Sequence, residues 1–236
     1  MIPLKDTIKS KHLPVVTWLL IAVNVLIFLY QLTLPPHALE RFFHTWGIVP
    51  ARFFHPRWAS ATGYPRISLL PFFTYMFLHG GWLHIIFNMW ALWIFGDNVE
   101  DRMGHLGFFG FYILCGLLAG LIQTIFHPGS QVPTIGASGA IAGVMGAYFI
   151  LFPFSQILVM MPIFIFPIFF KIPAVVYLLL WFILQFWSGT LSLLAGAAQF
   201  GGIAFWAHVA GFISGMALLR IFVKKIKSGY GAESSK

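Results

Sequence analysis

The chain has 236 residues, of which 59% are hydrophobic, 18% aromatic and only 8% charged, with a mean hydropathy of +0.87. This composition lies far outside that of soluble globular domains and predicts an integral membrane protein. The net charge of +8 does not indicate nucleic-acid binding, because the basic residues flank apolar runs instead of forming an aromatic-interleaved face.

The first predicted membrane segment begins close to the N-terminus. It covers residues 13–33, and Lys5, Lys9 and Lys11 precede it. The run lacks a clear small-x-small cleavage site, so it is interpreted as a retained anchor and not as a cleaved signal peptide. Further basic residues follow the last apolar run, and this distribution predicts that both termini are cytoplasmic.

Five more apolar runs have spanning length, so six transmembrane helices are predicted. The chain is accordingly divided into a cytoplasmic N-terminal segment at 1–12, a membrane domain at 13–223 and a basic cytoplasmic tail at 224–236. The predicted spans are residues 13–33, 78–96, 105–126, 137–153, 173–189 and 203–223.

The connection between the first two spans, at residues 35–77, is too long for a simple turn and is predicted to lie on the outer side. Its four arginines against a single glutamate, Glu40, would by a simple positive count favour the cytoplasm. The charges of loops this long have less influence on the orientation of a membrane protein. The many aromatic side chains suit a segment that lies partly in the headgroup layer.

Two other connecting stretches are assigned to the cytoplasmic side. The charged run at 97–102 is interpreted as a solvated turn with local ion pairs. The apolar stretch at 155–171 is interpreted as interfacial or re-entrant, because Pro162 and Pro167 would free backbone groups in lipid. A seventh span there would also put His208 near the opposite face from the start of the fourth helix.

Two side chains stand out, because a nucleophile or an ionisable group inside an apolar span is costly unless it serves chemistry. Ser138 lies in Gly136-Ala137-Ser138-Gly139 at the start of the fourth span. Unpaired backbone N–H groups and the positive end of the helix dipole can stabilise an oxyanion there. His208 lies near the start of the sixth span, and six alternating spans place it at the depth of Ser138, where its imidazole can accept the hydroxyl proton.

These motifs also have a purely structural interpretation. Small residues form stripes typical of closely packed membrane helices, namely Gly139, Gly143 and Ala147 in the fourth span and Ala207, Gly211 and Gly215 in the sixth. Packing and catalysis agree here, since close backbones would bring the two side chains together. His84 and Asn88 lie one turn apart on the second span and are either oxyanion-hole donors or interhelical hydrogen-bond groups.

The sequence lacks the catalytic residues of other protease classes. None of the six carboxylates falls in the outer half of a predicted span, which excludes a Ser-His-Asp triad and an aspartyl protease. No His-Glu-x-x-His motif occurs among the nine histidines. His79 and His84 would lie about 140° apart on a helix, a poor pair of metal ligands. A Ser-His dyad remains, with no metal and no cofactor.

Over most of its length the sequence resembles the rhomboid family of intramembrane serine proteases. The likeness rests on four ordered motifs at compatible spacing, which are the pair His84 and Asn88, the run from Phe95 to Gly104, the Gly-Ala-Ser-Gly of 136–139, and Ala207-His208 followed by Gly211 and Gly215. It implies an all-α membrane protein, a six-transmembrane-helix bundle with a long, partly membrane-embedded first loop.

The resemblance implies a role for each matching residue. Ser138 would attack the scissile carbonyl, and His208 would serve as general base and then as general acid. His84, Asn88 and the Ser138 backbone N–H would stabilise the oxyanion. Some family members carry an aromatic residue four positions after the serine that stacks on the imidazole. Ala142 takes that place here, which leaves the support of the His208 ring open.

The resemblance also implies how substrates enter. In the family the first loop lies partly in the bilayer, while the fifth helix and the loop after it act as a lateral gate and a cap. Those roles would fall on residues 35–77, 173–189 and about 190–203. The implied partners are transmembrane protein substrates and membrane lipids, with no nucleic acid.

The sequence therefore predicts an intramembrane serine endopeptidase that cleaves transmembrane segments of other proteins through an acyl-enzyme on Ser138. Substrates with helix-weakening residues near the outer face are expected, because a helical peptide bond is sheltered. A non-enzymatic relative would be expected to have lost the serine or the histidine. A channel or transporter would be expected to carry midspan charges or inverted repeats. The short chain and basic termini favour a prokaryotic plasma membrane.

Overall fold

The computed structural model describes residues 1–63, 68–163, 166–195 and 203–223. Within these ranges the chain forms ten α-helices, a 3₁₀ turn at Tyr75–Phe77 and one three-stranded sheet. The helices are α1 Val15–Leu32, α2 Pro36–Trp46, α3 Ala51–Phe54, α4 Pro56–Ala61, α5 Pro71–Thr74, α6 Trp82–Met103, α7 His105–Phe126, α8 Ser138–Leu151, α9 Ala174–Ala195 and α10 Phe205–Phe222. The strands are β1 Ile2–Asp6, β2 Gln156–Ile163 and β3 Phe166–Pro173.

A helix occupies each of the six predicted spans. Among the described helices, α1, α7, α9 and α10 are long and apolar enough to cross a membrane, while α8 is apolar but has only 14 residues. Helix α6 continues past the predicted end of its span into the charged residues 97–102. The membrane character of the bundle is therefore supported by four helices, and the count of six crossings stays a prediction.

The description of the chain as all-α was wrong for residues 155–171. This stretch is neither a helix nor a loop in the described part of the chain, but supplies β2 and β3, which pair antiparallel with each other and with β1. β-branched and aromatic residues favour strands. Pro162 and Pro167 face each other towards the tip of the hairpin, where a missing N–H interrupts few ladder bonds. Strand β1 comes from the N-terminal segment, and no local pattern indicated its pairing with residues so distant in the chain.

The interpretation of residues 97–102 as a solvated turn was also wrong, because Glu100 is buried with 1% exposure. Its carboxylate accepts hydrogen bonds from the backbone N–H groups of Val16 (2.9 Å) and Thr17 (2.8 Å) and from the Thr17 hydroxyl (2.7 Å). These are first-turn groups of α1, which no intrahelical carbonyl can satisfy. Glu100 therefore caps α1 from the end of α6.

Helices α8 and α10 pack with their backbones in close approach, as the small-residue stripes predicted. A Cβ added to Gly211 would collide with the carbonyl oxygen of Gly139, and one added to Gly215 with that of Gly143. Only glycine permits this approach at the contact points. The two helices that carry Ser138 and His208 are thus locked against each other.

The connection at 35–77 folds as four short helices and the 3₁₀ turn. Ile48 is fully buried and forms an isolated antiparallel bridge with Thr134, which lies shortly before α8. The loop is thereby tied to the segment that leads into Ser138. Its predicted position in the headgroup layer stays a prediction. Residues 196–202 of the predicted cap, the tail at 224–236 and Arg66 lie outside the described residues.

Candidate active site

The N-terminal ends of α6, α8 and α10 meet at one end of the bundle, and the predicted site residues lie there. Ser138 is the first residue of α8, and His208 lies in the first turn of α10. The His208 Nε2 atom lies 2.8 Å from the Ser138 Oγ. Both side chains are only partly buried.

The backbone before Ser138 makes a turn that only glycine adopts readily. Gly136 has a φ of +122°, and its N–H donates to the Tyr75 carbonyl at 2.9 Å. The first helical hydrogen bond of α8 runs from the Ile141 N–H to the Ala137 carbonyl. The N–H groups of the first turn are therefore not used by the helix ladder and, with the helix dipole, favour negative charge near Ser138.

His84 lies beside the serine, and Asn88 lies one turn further along α6. A Cβ added to Gly136 would lie 2.7 Å from the His84 Nε2 and 3.7 Å from the Ser138 Oγ, so the imidazole and the hydroxyl flank the same small space. Asn88 is buried, with 7% exposure. Among the described residues no hydrogen bond joins Asn88 to Ser138 or His208.

His79 and His84 are closer than the helical-wheel estimate indicated. Their ring centroids are 5.0 Å apart in an edge-to-face contact, because His79 precedes the start of α6 and does not follow helical geometry. His79 is buried, and Gln31 of α1 bonds to its backbone N–H and carbonyl. Within the described part of the chain, no cluster of three or more histidine, cysteine, aspartate or glutamate side chains could hold a metal ion.

The sequence did not single out the residues that surround the His208 ring. The Gln185 Oε1 atom of α9 lies 2.7 Å from the His208 Nδ1. The Trp181 ring, one turn earlier on α9, lies 6.0 Å from the imidazole, and the Phe205 ring lies 6.4 Å from it. The one available signal was the amide itself, since a glutamine inside an apolar span needs a partner. Aromatic residues from α9 and α10 thus lie near the His208 ring, while α8 carries Ala142 at the position considered from the sequence.

A second glutamine holds the start of α10. The Gln123 side chain of α7 is buried, and its Oε1 accepts a hydrogen bond from the Ala207 N–H at 3.2 Å. That N–H, in the first turn of α10, also donates to the Ala204 carbonyl at 3.0 Å, so the Gln123 side chain is its second acceptor. Gln123 therefore fixes the backbone next to His208.

Comparison with known proteins places the chain in a family. The family model of the rhomboid domain matches residues 66–225. The chain is 35% identical over 97 residues to the mitochondrial rhomboid protein 1 of Saccharomyces cerevisiae, covering 39% of this chain and 27% of that protein. It is 30% identical over 144 residues to RHOMBOID-like protein 5 of Arabidopsis thaliana, covering 61% and 42% respectively.

A bacterial relative is similar over a shorter stretch. The rhomboid protease GluP of Bacillus subtilis is 40% identical over 70 residues, or 30% of this chain and 13% of that protein. The chain thus spans less than half the length of each of these three relatives. The family match itself covers well over half of this chain, and four described helices can cross a membrane. This chain is therefore an integral membrane protein of the rhomboid family, whose members are in general intramembrane serine proteases.

Proposed function

We propose that this protein is a serine endopeptidase that cleaves transmembrane segments of other membrane proteins, with Ser138 as nucleophile and His208 as general base and acid. The observation that carries the proposal is the 2.8 Å contact between the His208 Nε2 and the Ser138 Oγ. This is the distance at which an imidazole can remove the hydroxyl proton as the oxygen attacks a carbonyl.

The reaction has two halves. In the first, the Ser138 Oγ bonds to the scissile carbonyl carbon while its proton moves to the His208 Nε2. The imidazolium then protonates the leaving amine as the peptide C–N bond breaks, which leaves an acyl-enzyme on Ser138. In the second half, His208 takes a proton from water, the resulting hydroxide attacks the ester, and the serine leaves with that proton.

We assign oxyanion stabilisation to the Ser138 backbone N–H, His84 and Asn88. The first is a backbone amide at the start of α8 for which the described residues offer no acceptor in the helix ladder, and it is a suitable donor for developing negative charge. The space between the His84 Nε2 and the Ser138 Oγ at Gly136 supports a place for the carbonyl oxygen there. Asn88 lies one turn further along α6 than His84, and its side-chain amide is a suitable donor type for the oxyanion.

The position of Ser138 and His208 in the bundle indicates where substrates would be cut. Because the pair lies at the N-terminal ends of α6, α8 and α10, we propose that it cuts near one face of the bilayer and that substrates unwind there. We also propose that both termini are cytoplasmic and that the site lies near the outer face. The prokaryotic plasma membrane stays a prediction, since the relatives include a mitochondrial yeast protein and a bacterial protease.

The test uses the purified full chain in detergent or liposomes with a single-span reporter substrate. The parent protein is expected to cleave the reporter and to be labelled by a fluorophosphonate at Ser138. Ser138→Ala and His208→Ala are expected to lose cleavage by at least about 10³-fold, the loss seen when a member of such a unit is removed. Undiminished cleavage by either variant, or labelling at another residue, would overturn the proposal.

A further inference from the structure

We propose that Gln185 of α9 is a positioning residue, which holds the His208 imidazole and fixes its tautomer so that Nε2 is free to take the Ser138 proton. This inference rests on the proposed function and adds a third member to the Ser138–His208 unit. It starts from the fact that both ring nitrogens of His208 have a partner, Ser138 Oγ at 2.8 Å and Gln185 Oε1 at 2.7 Å.

The amide oxygen decides which nitrogen carries the proton. An amide oxygen can only accept a hydrogen bond, so the Nδ1 that faces it must be the donor. A neutral imidazole has a single N–H, which leaves the lone pair on Nε2 pointing at the Ser138 hydroxyl. This is the only neutral tautomer in which His208 can act as the base. If the amide were turned to present its NH₂ group, the tautomer would be reversed.

A neutral amide fits this position better than a carboxylate. The described carboxylates lie far from this end of the bundle or on the exposed α2, so none is available to orient the ring. A buried carboxylate in lipid would be costly without a partner. Papain-like proteases show that an amide can orient a catalytic histidine, since their triad ends in asparagine. Gln185 would supply orientation without adding charge.

Gln185 lies on a face of α9 that packs against α10. Trp181, Gln185 and Gly189 lie one turn apart each and therefore share a face. The Trp181 ring packs 6.0 Å from the Phe212 ring, and the Gly189 carbonyl accepts a hydrogen bond from the Trp206 Nε1 at 3.1 Å. Contacts above and below Gln185 thus hold its amide in register with His208.

Other side chains of α9 face outward. Leu184 and Trp187, which flank Gln185, are each 63% exposed. Only 22% of the span of α9 is buried, the smallest share among the four helices that can cross a membrane. The His208–Gln185 hydrogen bond therefore links the catalytic base to the least enclosed of these helices. Any outward movement of α9 would remove the partner of Nδ1.

The first experiment compares kcat and KM for the parent and three variants with the single-span reporter. Gln185→Met keeps the length of the side chain but removes the amide acceptor, and should lower kcat by about 10- to 100-fold, by analogy with metal-bound histidines that lose their outer hydrogen-bond partner. KM should change by less than about threefold. Gln185→Glu keeps an oxygen acceptor at the same reach but adds a charge, and should retain more of kcat than Gln185→Met. Leu184→Met, on the outward face, is the matched control and should match the parent.

The second experiment measures the tautomer directly in the parent. Nuclear magnetic resonance of isotope-labelled histidine, with the His208 signals identified by their loss in His208→Ala, should show a protonated Nδ1 and a bare Nε2. The Gln185→Met protein should show both tautomers. A parent protein with a protonated Nε2, or a Gln185→Met variant with the kcat of the parent, would refute the role of Gln185.

The two proposals fail in different ways. If Ser138→Ala is inactive and Gln185→Met is as active as the parent, the role of Gln185 alone is lost. If Ser138→Ala still cleaves the reporter, the proposed function is lost, and the tautomer of His208 still decides whether Gln185 sets it. If Gln185→Met does not fold, the Gln185→Glu variant and the spectrum of the parent decide the matter.

Discussion

Gly136 allows the His84 imidazole to lie close to Ser138, because it has no side chain. Its φ of +122° lies in a region that residues with a side chain rarely adopt. A Cβ there would also lie 2.7 Å from the His84 Nε2 and 2.9 Å from its Cε1. Two separate causes thus keep this position a glycine.

Gly136→Ala should therefore lower cleavage by at least about tenfold, because about 1–3 kcal/mol of backbone strain and the contact with His84 would displace the residues around Ser138. The measurement is reporter cleavage, together with fluorophosphonate labelling to follow the serine itself.

Gly107→Ala on α7 is the control for Gly136→Ala. Its added Cβ would meet atoms at ordinary contact distances of 3.5 and 3.6 Å, so cleavage should stay within about twofold of the parent on the scale of a neutral substitution. Full activity of Gly136→Ala would show that His84 need not be held where the turn places it.

Residues that break the apolar pattern could be predicted from the sequence, while the residues that contact them could not. Ser138 and His208 stand out because they are costly in lipid, and the predicted six-span topology places them at one depth. Gln185 is equally out of place in α9. Its partner depends on the rotation of α9 against α10, which a hydropathy pattern does not fix. The absence of an aromatic residue at position 142 was visible in the sequence, while the contacts of the His208 ring with Gln185 and Trp181 were not.

A buried carboxylate joins the ends of neighbouring helices. The Glu100 carboxylate of α6 accepts three hydrogen bonds from the first turn of α1 and a fourth contact, at 2.6 Å, from the His105 Nδ1 of α7. One buried side chain thus connects three helices. A group with this many partners is costly to change, because its donors would remain buried and unpaired.

Glu100→Gln should lower the free energy of unfolding by about 1–3 kcal/mol, since one of its two oxygens becomes an NH₂ group that faces N–H donors. Denaturant unfolding in detergent measures this change. Asp101→Asn is the neighbouring control, because Asp101 pairs with the exposed His12 and such pairs contribute less than about 1 kcal/mol. Equal stability of the two variants would contradict the capping role of Glu100.

The positions of the helices were predictable from apolar runs, while the sheet was not. Runs of spanning length mark all six helix positions, since the bilayer sets their length. Strands β2 and β3 are apolar as well, and their prolines argued only against a helix. Pairing with β1 joins Ile2 to Met160, a contact between residues far apart in the chain that local patterns do not encode.

The two ends of the whole molecule are built differently. One end collects the starts of α6, α8 and α10 with the candidate catalytic pair. The other collects the sheet, the cap on α1 and a carboxylate that ties them together. The Asp6 Oδ2 of β1 accepts hydrogen bonds from the Asn98 Nδ2 of α6 at 2.9 Å and from the Tyr148 hydroxyl of α8 at 2.5 Å. Asp6 therefore docks the sheet on the helical bundle.

The charge of Asp6 should make the stability of the whole molecule depend on pH. Burial raises the pKa of Asp6 above its ordinary value, although its hydrogen bonds partly oppose the change. The folded state therefore holds a proton that the unfolded state releases near pH 4. Its contribution to stability is fully present below that pH and is lost as the pH rises through the higher pKa of the folded state.

Asp6→Asn keeps an oxygen acceptor for Asn98 and Tyr148 and carries no charge, so it should remove this loss. We expect its melting temperature to exceed that of the parent at pH 8, and the advantage to disappear towards pH 4. Thermal unfolding in detergent across this range measures the difference. Glu40→Gln, which removes one exposed carboxylate from α2, shows what the loss of a negative charge alone does. A lower melting temperature of Asp6→Asn at pH 8 would mean that the ionised carboxylate itself holds the sheet on the bundle, contrary to the argument from burial.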